Sequence, residues 1–340
     1  MHNEIDTNAW LLIPGGTATL GSLLTDAQAL PSELPAHSVA VASFYLARCP
    51  VTNTDYRGFV EAGGYADERW WTPAGWLWRQ GGLPDSGPVQ EILELRHYFL
   101  AHPGELERRV ALGRMLPETA AAWRARTAQP EAEVRAQVQR DYPDGPRTQP
   151  AFWDQAAYNH PSQPVAGVTW HEALAYSAWL HAQLAGRAAA PLTAERLAGG
   201  WRARLPTEAE WEWAAGGPAH TRFPWGEEFE PGRANTLEGR ALAPTPVGAY
   251  PTGAAACGAL DMSGNVWEWT STLFKPYPYA ADDGREDPLA EGKRVLRGGS
   301  WFNNQRGARV TDRKYDRPVY APNNFGLRVV VGPYVQALRR

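Results

Sequence analysis

The apolar positions of this chain change period several times, and each change marks an element. Residues 10–21 read as strand, Pro14-Gly15-Gly16 turn and strand, because apolar Trp10, Leu11, Leu12 and Ile13 lead into turn-forming residues. Residues 38–47 alternate at period two and predict a further strand. Helical spacing takes over at Thr52-Asn53, an N-cap for a helix through Tyr56, Phe59 and Val60 that Gly63-Gly64 ends. The clearest amphipathic helix is predicted over 169–184. Ala173, Tyr176, Ala178, Trp179 and Leu184 fall near one face, with Thr169 as cap and Gly186 as stop. Within 204–215, Thr207 and Glu210 have capping-box spacing, and Gly216-Gly217 closes the helix. Val295-Leu296 and 325–331 are continuously apolar and predict buried strands.

Two stretches break this pattern. Residues 69–78 are dense in tryptophan (Trp70, Trp71, Trp76, Trp78), and from 79 to 150 the chain turns rich in Ala, Arg and Glu. There Ile92, Leu95, Tyr98 and Phe99, then Val110, Leu112, Met115 and Leu116, recur at near-helical intervals broken by Pro103, Pro117, Pro130 and Pro143. This predicts a 79–150 insertion of two to four helices within a single domain spanning 1–340, its mixed charges forming a solvated face. The second break lies between the closing strands. Residues 302–324 mix Asn, Arg, Tyr and Asp with no sustained period. A polar, aromatic loop held between core strands suits ligand recognition better than fold building. Gly298-Gly299 lets the backbone turn tightly beneath it.

Composition narrows the function classes. With 340 residues, 44% hydrophobic and 16 of them Trp, the chain can bury a sizeable core. Its 33 Gly and 29 Pro favour turns and irregular segments over long regular elements. A net charge of −4 argues against a nucleic-acid partner or an anionic membrane surface. Cys49 and Cys257 cannot form a disulfide scaffold, so a cytoplasmic location is expected. Residues 1–6 lack a charged, then apolar, leader, and no apolar run reaches membrane-spanning length.

Four blocks, in this order, resemble the formylglycine-generating enzyme (sulfatase-modifying factor) family. They are Arg204-Leu205-Pro206-Thr207-Glu208-Ala209-Glu210-Trp211-Glu212-Trp213, Phe223-Pro224-Trp225-Gly226, Asp261-Met262-Ser263-Gly264-Asn265-Val266-Trp267-Glu268-Trp269, and Arg297-Gly298-Gly299-Ser300-Trp301 with Gly326-Leu327-Arg328-Val329-Val330. The likeness covers roughly 9–78 and 150–334 and leaves out the helical insertion. It implies an α+β, C-type-lectin-like fold: a small twisted antiparallel sheet, two main helices and much irregular structure.

The resemblance implies more than one activity. Oxidase members bind copper through a cysteine pair shortly after the Gly-Gly-Ser motif; residues 301–309 hold none, so no copper is expected. Other members are non-haem iron enzymes with clustered histidines on an extra helical domain. Here no histidine pair stands at i, i+4 beside a carboxylate, which leaves a loop-built site from His160, His171 or His220 as the metal-dependent oxidoreductase alternative. The chain is most similar to the bacterial variable proteins of diversity-generating retroelements. That implies a non-catalytic protein displaying a hypervariable surface to a protein or other macromolecular ligand. On this reading Phe302, Asn303, Asn304, Arg306, Asp312, Lys314, Tyr315, Val319, Tyr320, Asn323 and Asn324 bind the ligand. A sensor domain partnering with a signalling enzyme is a further alternative. The resemblance also places structural calcium at Asp261, Gly264, Val266 and Glu268, and a second site from Asn235. The residues themselves equally allow a buried ion pair of Asp261 or Glu268 with Arg297 or Arg328.

Overall fold

A computed structural model describes residues 10–82, 88–112, 115, 117–142, 145–187 and 191–334. Residues 1–6 with His2, and Leu116 and Pro143, lie outside the described residues. Along the chain, β1 (Trp10–Ile13), β2 (Gly16–Leu20), β3 (His37–Val41) and β4 (Phe44–Ala47) lead into α1 (Asn53–Glu61) and α2 (Pro73–Arg79). The next stretch contributes α3 (Pro88–Ala101), α4 (Glu105–Ala111), α5 (Pro117–Ala128) and α6 (Glu131–Asp141). Then come α7 (Trp170–Arg187), α8 (Ala194–Ala198), β5 (Trp201–Arg204) and α9 (Glu208–Gly216). The last strands are β6 (Trp267–Leu273), β7 (Arg294–Arg297), β8 (Lys314–Asp316), β9 (Phe325–Leu327) and β10 (Val330–Pro333).

These strands form two four-stranded sheets, ordered β1-β4-β10-β5 and β8-β7-β6-β9, with β2 and β3 paired separately. The expected strand–turn–strand over 10–21 is present, but its halves join different sheets: β1 pairs with β4 and β2 with β3. The single strand expected over 38–47 is two, because the chain leaves one partner for another between Val41 and Phe44. No described helix is long and apolar enough to cross a membrane.

Local chemistry fixes the two main helices. Thr169 Oγ1 accepts from the Glu172 amide, and Glu172 Oε2 accepts from the Thr169 amide, closing a capping box at the start of α7. Thr207 and Glu210 do the same for α9. Gly186 does not stop α7, which runs on through Arg187. One buried cluster gathers Tyr56, Phe59, Trp170, Tyr176, Trp269 and Phe325 under α1 and α7; a second gathers Phe44, Leu46, Trp211, Met262 and Val330 under α9. Helices α3–α6 have two small clusters of their own, around Phe99, Leu106 and Ala120 and around Leu93, Val134 and Val138.

Candidate functional site

The turn leaving β7 sets the floor of the site. Gly298 and Gly299 both have positive φ, +96° and +75°. A Cβ on Gly299 would lie 2.5 Å from the Gly307 carbonyl oxygen, so the chain can double back here only without a side chain. That turn buries Ser300 and brings Asn303 over Trp267 of β6. Asn303 Oδ1 accepts from Trp267 Nε1 at 2.8 Å and from Ser300 Oγ at 2.6 Å. Asn324 Nδ2 donates to Ser300 Oγ at 2.9 Å from the approach to β9. Beside it Asn323 Nδ2 donates to the Tyr158 hydroxyl at 2.6 Å. Trp301 is buried, and its Nε1 has no partner among the described residues. Phe302, Asn304, Pro322, Asn323 and Asn324 are half-buried, so the rim of this cluster reaches solvent. The result is a neutral polar floor. It suits orienting a small polar molecule by hydrogen bonds.

The structure brings together only part of the predicted recognition set. Asn303 and Asn324 meet at this floor, Asn323 lies next to it on Tyr158, and Phe302 and Asn304 are half-buried beside Asn303 in the chain. Arg306 is held away by its Nε, which donates to the Gln28 carbonyl at 3.1 Å. Lys314 and Tyr315 lie in β8, where Lys314 pairs with Asp316 at 3.1 Å and Tyr315 stacks on Phe274 with centroids 3.6 Å apart. Asp312, Val319 and Tyr320 correct the expectation of a continuous display surface. Asp312 and Val319 are buried, and Tyr320 packs edge-on against Phe325 at 5.8 Å. The whole stretch from Gly307 to Arg313 is buried, because Arg309 clamps Glu33 through both carboxylate oxygens, at 2.7 and 2.8 Å. Tyr158, which the site uses, carried no local signal in the sequence; its partner is 165 positions away.

Neither of the metals that the family resemblance suggests finds a fitting set of side chains. Glu268 gives both carboxylate oxygens to Arg328 (2.7–3.1 Å) and one also to Trp211 Nε1 at 2.7 Å. Asp261 Oδ2 accepts from the Gly248 amide at 2.6 Å, and burial raises its pKa above the usual carboxylate range. The Glu268–Arg328 ion pair thus uses the charge a calcium ion would need. For a redox metal, no three His, Cys, Asp or Glu side chains among the described residues are grouped to ligate one. His160 bonds Ser162 at 3.0 Å, His220 bonds Glu212 at 3.3 Å, and His171 is buried against Trp78, with burial lowering its pKa to about 4. The three lie on separate segments of the chain.

Comparison with known proteins corrects the expectation of a non-catalytic protein. The chain is 34% identical over 332 residues to hercynine oxygenase of Mycolicibacterium smegmatis, covering 94% of this chain and 60% of that one. It is 29% identical over 347 residues to formylglycine-generating enzyme of Streptomyces coelicolor, covering 95% and 88%. These two relatives, matched over almost the whole chain, are named enzymes, while inactive C-alpha-formylglycine-generating enzyme 2 of Bos taurus matches 94% of the chain at 30% identity. Among solved structures, Treponema denticola variable protein 1 shares the fold at a TM-score of 0.52 and 19% identity, with 95% of each chain covered. The sulfatase-modifying factor enzyme 1-like domain matches residues 1–333, and with the sheets, the double-glycine turn and these relatives in agreement, the chain belongs to that family.

Proposed function

We propose that this chain is an enzyme of the oxygenase class that binds a small polar substrate at the Ser300–Asn303–Asn324 floor. The observation that carries this reading is the 34% identity to a hercynine oxygenase across 94% of the chain, which makes hercynine the first substrate to try. The chain spans 60% of that relative's length. The chain's own part is binding and orientation. Trp267 Nε1 and Ser300 Oγ fix the Asn303 amide in one orientation, which leaves its NH2 group to meet an acceptor on the substrate. A donor fixed before the substrate arrives costs little reorganisation when it binds.

The test is oxygen uptake by the purified chain with hercynine under air and iron(II), alongside calorimetric binding of hercynine. Wild type should bind it and consume oxygen. Asn303→Ala should lose about tenfold or more in kcat/KM, roughly 1.4 kcal/mol of transition-state binding. Circular dichroism of the variant controls for folding. Neither binding nor uptake by wild type would overturn the reading.

A further inference from the structure

Away from that floor, a cavity of about 270 Å³ opens between the turn after β2 and the segment after α9. The parts of its lining that matter are Ser22, Leu23, Asp26, His220, Arg222 and Glu227. It shares no side chain with the Ser300 cluster.

Its back wall is fixed. Ser22 Oγ donates to Glu33 Oε2 at 2.9 Å, and Arg309 holds that same carboxylate. His220 Nε2 meets Glu212 Oε1 at 3.3 Å; Glu212 is fully buried and also takes the Gly21 amide and the Arg297 guanidinium. His220 adopts this position at φ +50°, a left-handed conformation that costs a non-glycine residue roughly 1 kcal/mol or more. Strain of that kind persists where surrounding contacts impose it, and it concentrates at ligand sites. With Nε2 on a carboxylate, Nδ1 makes no hydrogen bond with a described residue.

The charges at the mouth are loose by contrast. Asp26 and Arg222 stand 3.6 Å apart, beyond the 2.7–2.9 Å of a charge-assisted hydrogen bond. Glu227 is exposed at the rim and makes no ion pair with a described residue. Leu23 is 65% exposed and supplies an apolar edge. An anion alone would meet two carboxylates, and a metal cation would meet the guanidinium. A molecule carrying both charges satisfies both sides: its carboxylate on the Arg222 fork, its ammonium on Asp26 and Glu227.

We propose that this cavity binds a small zwitterion, an α-amino acid with an apolar side chain lying along Leu23. This proposal is independent of the oxygenase reading. The probe is L-leucine, titrated calorimetrically into the full chain, with leucinamide lacking the carboxylate and 4-methylpentanoate lacking the amine. L-leucine should bind, and both analogues should bind at least about tenfold more weakly. Arg222→Ala and Asp26→Asn, at partly exposed positions, should each weaken L-leucine by a similar factor with unchanged melting temperature. The proposal falls if wild type shows no heat at concentrations on the order of 10 mM. It falls equally if leucinamide binds as well as L-leucine, or if both variants retain wild-type affinity.

Discussion

At the scale of single residues, Asp312 shows how far burial can override a polar identity. Burial, reinforced by Glu33, raises its carboxyl pKa to about 7, against an ordinary 3.8. The folded state therefore holds this proton where the unfolded chain has lost it. Stability from this group is fully present below about pH 4 and is lost as pH rises toward 7. Asp312→Asn removes the titration while keeping an oxygen to accept from the Arg313 amide. The variant's advantage over wild type should grow by about 1 kcal/mol or more between pH 5 and pH 8, read from urea midpoints at the two pH values. A variant equally stable or less stable at pH 8 would show Asp312 ionised and well paired. Nothing in the sequence distinguished this aspartate from the solvated ones around it. Its neighbour Arg309 is satisfied by Glu33, 276 positions earlier, and a partner at that distance has no local signature.

Elements were legible where their determinants lie within a turn of one another. The Thr169 cap, the Thr207/Glu210 capping box and the double-glycine turn are of this kind, and the two helices and the tight turn under the site followed from them. Strand partners were not legible, because β1 and β10 meet β4 from opposite ends of the chain. Helices α3–α6 illustrate a third case. Their apolar spacing was visible, but their packing energy depends on how many residues each cluster gathers. The two clusters are small, whereas the cluster under α7 joins residues from Val51 to Val331. Helix α3 is tied to β8's neighbourhood by Arg317, whose Nη2 donates to Glu94 at 2.8 Å, a partly exposed pair worth about 1 kcal/mol at most. Sub-global opening should therefore begin here. In native-state hydrogen exchange, amides of α4 and α5 should open at lower free energy and with smaller denaturant dependence than those of β6 and β7. Equal protection of both sets would make these helices part of the main cooperative unit.

For the molecule as a whole, the join between its parts is ionic as well as apolar. Glu212 of α9 meets Arg297 of β7, and Glu268 of β6 meets Arg328, which also reaches the carbonyls of Ala47, Arg48 and Leu260. Arg313 and Arg285 share Glu208 at the start of α9. All of these side chains are buried, so each charge was removed from water and is tolerable only while its partner is ionised. Burial works to raise the Glu212 pKa, yet the Arg297 guanidinium, His220 and the Gly21 amide together outweigh it and hold the carboxyl below its ordinary range. A lowered folded pKa means stability that is present above the unfolded value, about 4.3, and is lost as pH falls through the folded one. The slope is opposite in sign to that of Asp312, and it acts further toward acid. Glu212→Gln should remove about 3–5 kcal/mol at neutral pH, since it strands the Arg297 charge in the interior. The double variant Glu212→Leu with Arg297→Met leaves no charge behind and should recover most of that loss, measured as denaturant midpoints at constant slope. If the double variant is as unstable as the single one, the attraction within the pair outweighs the cost of burying it, and the ion pairs stabilise this fold outright.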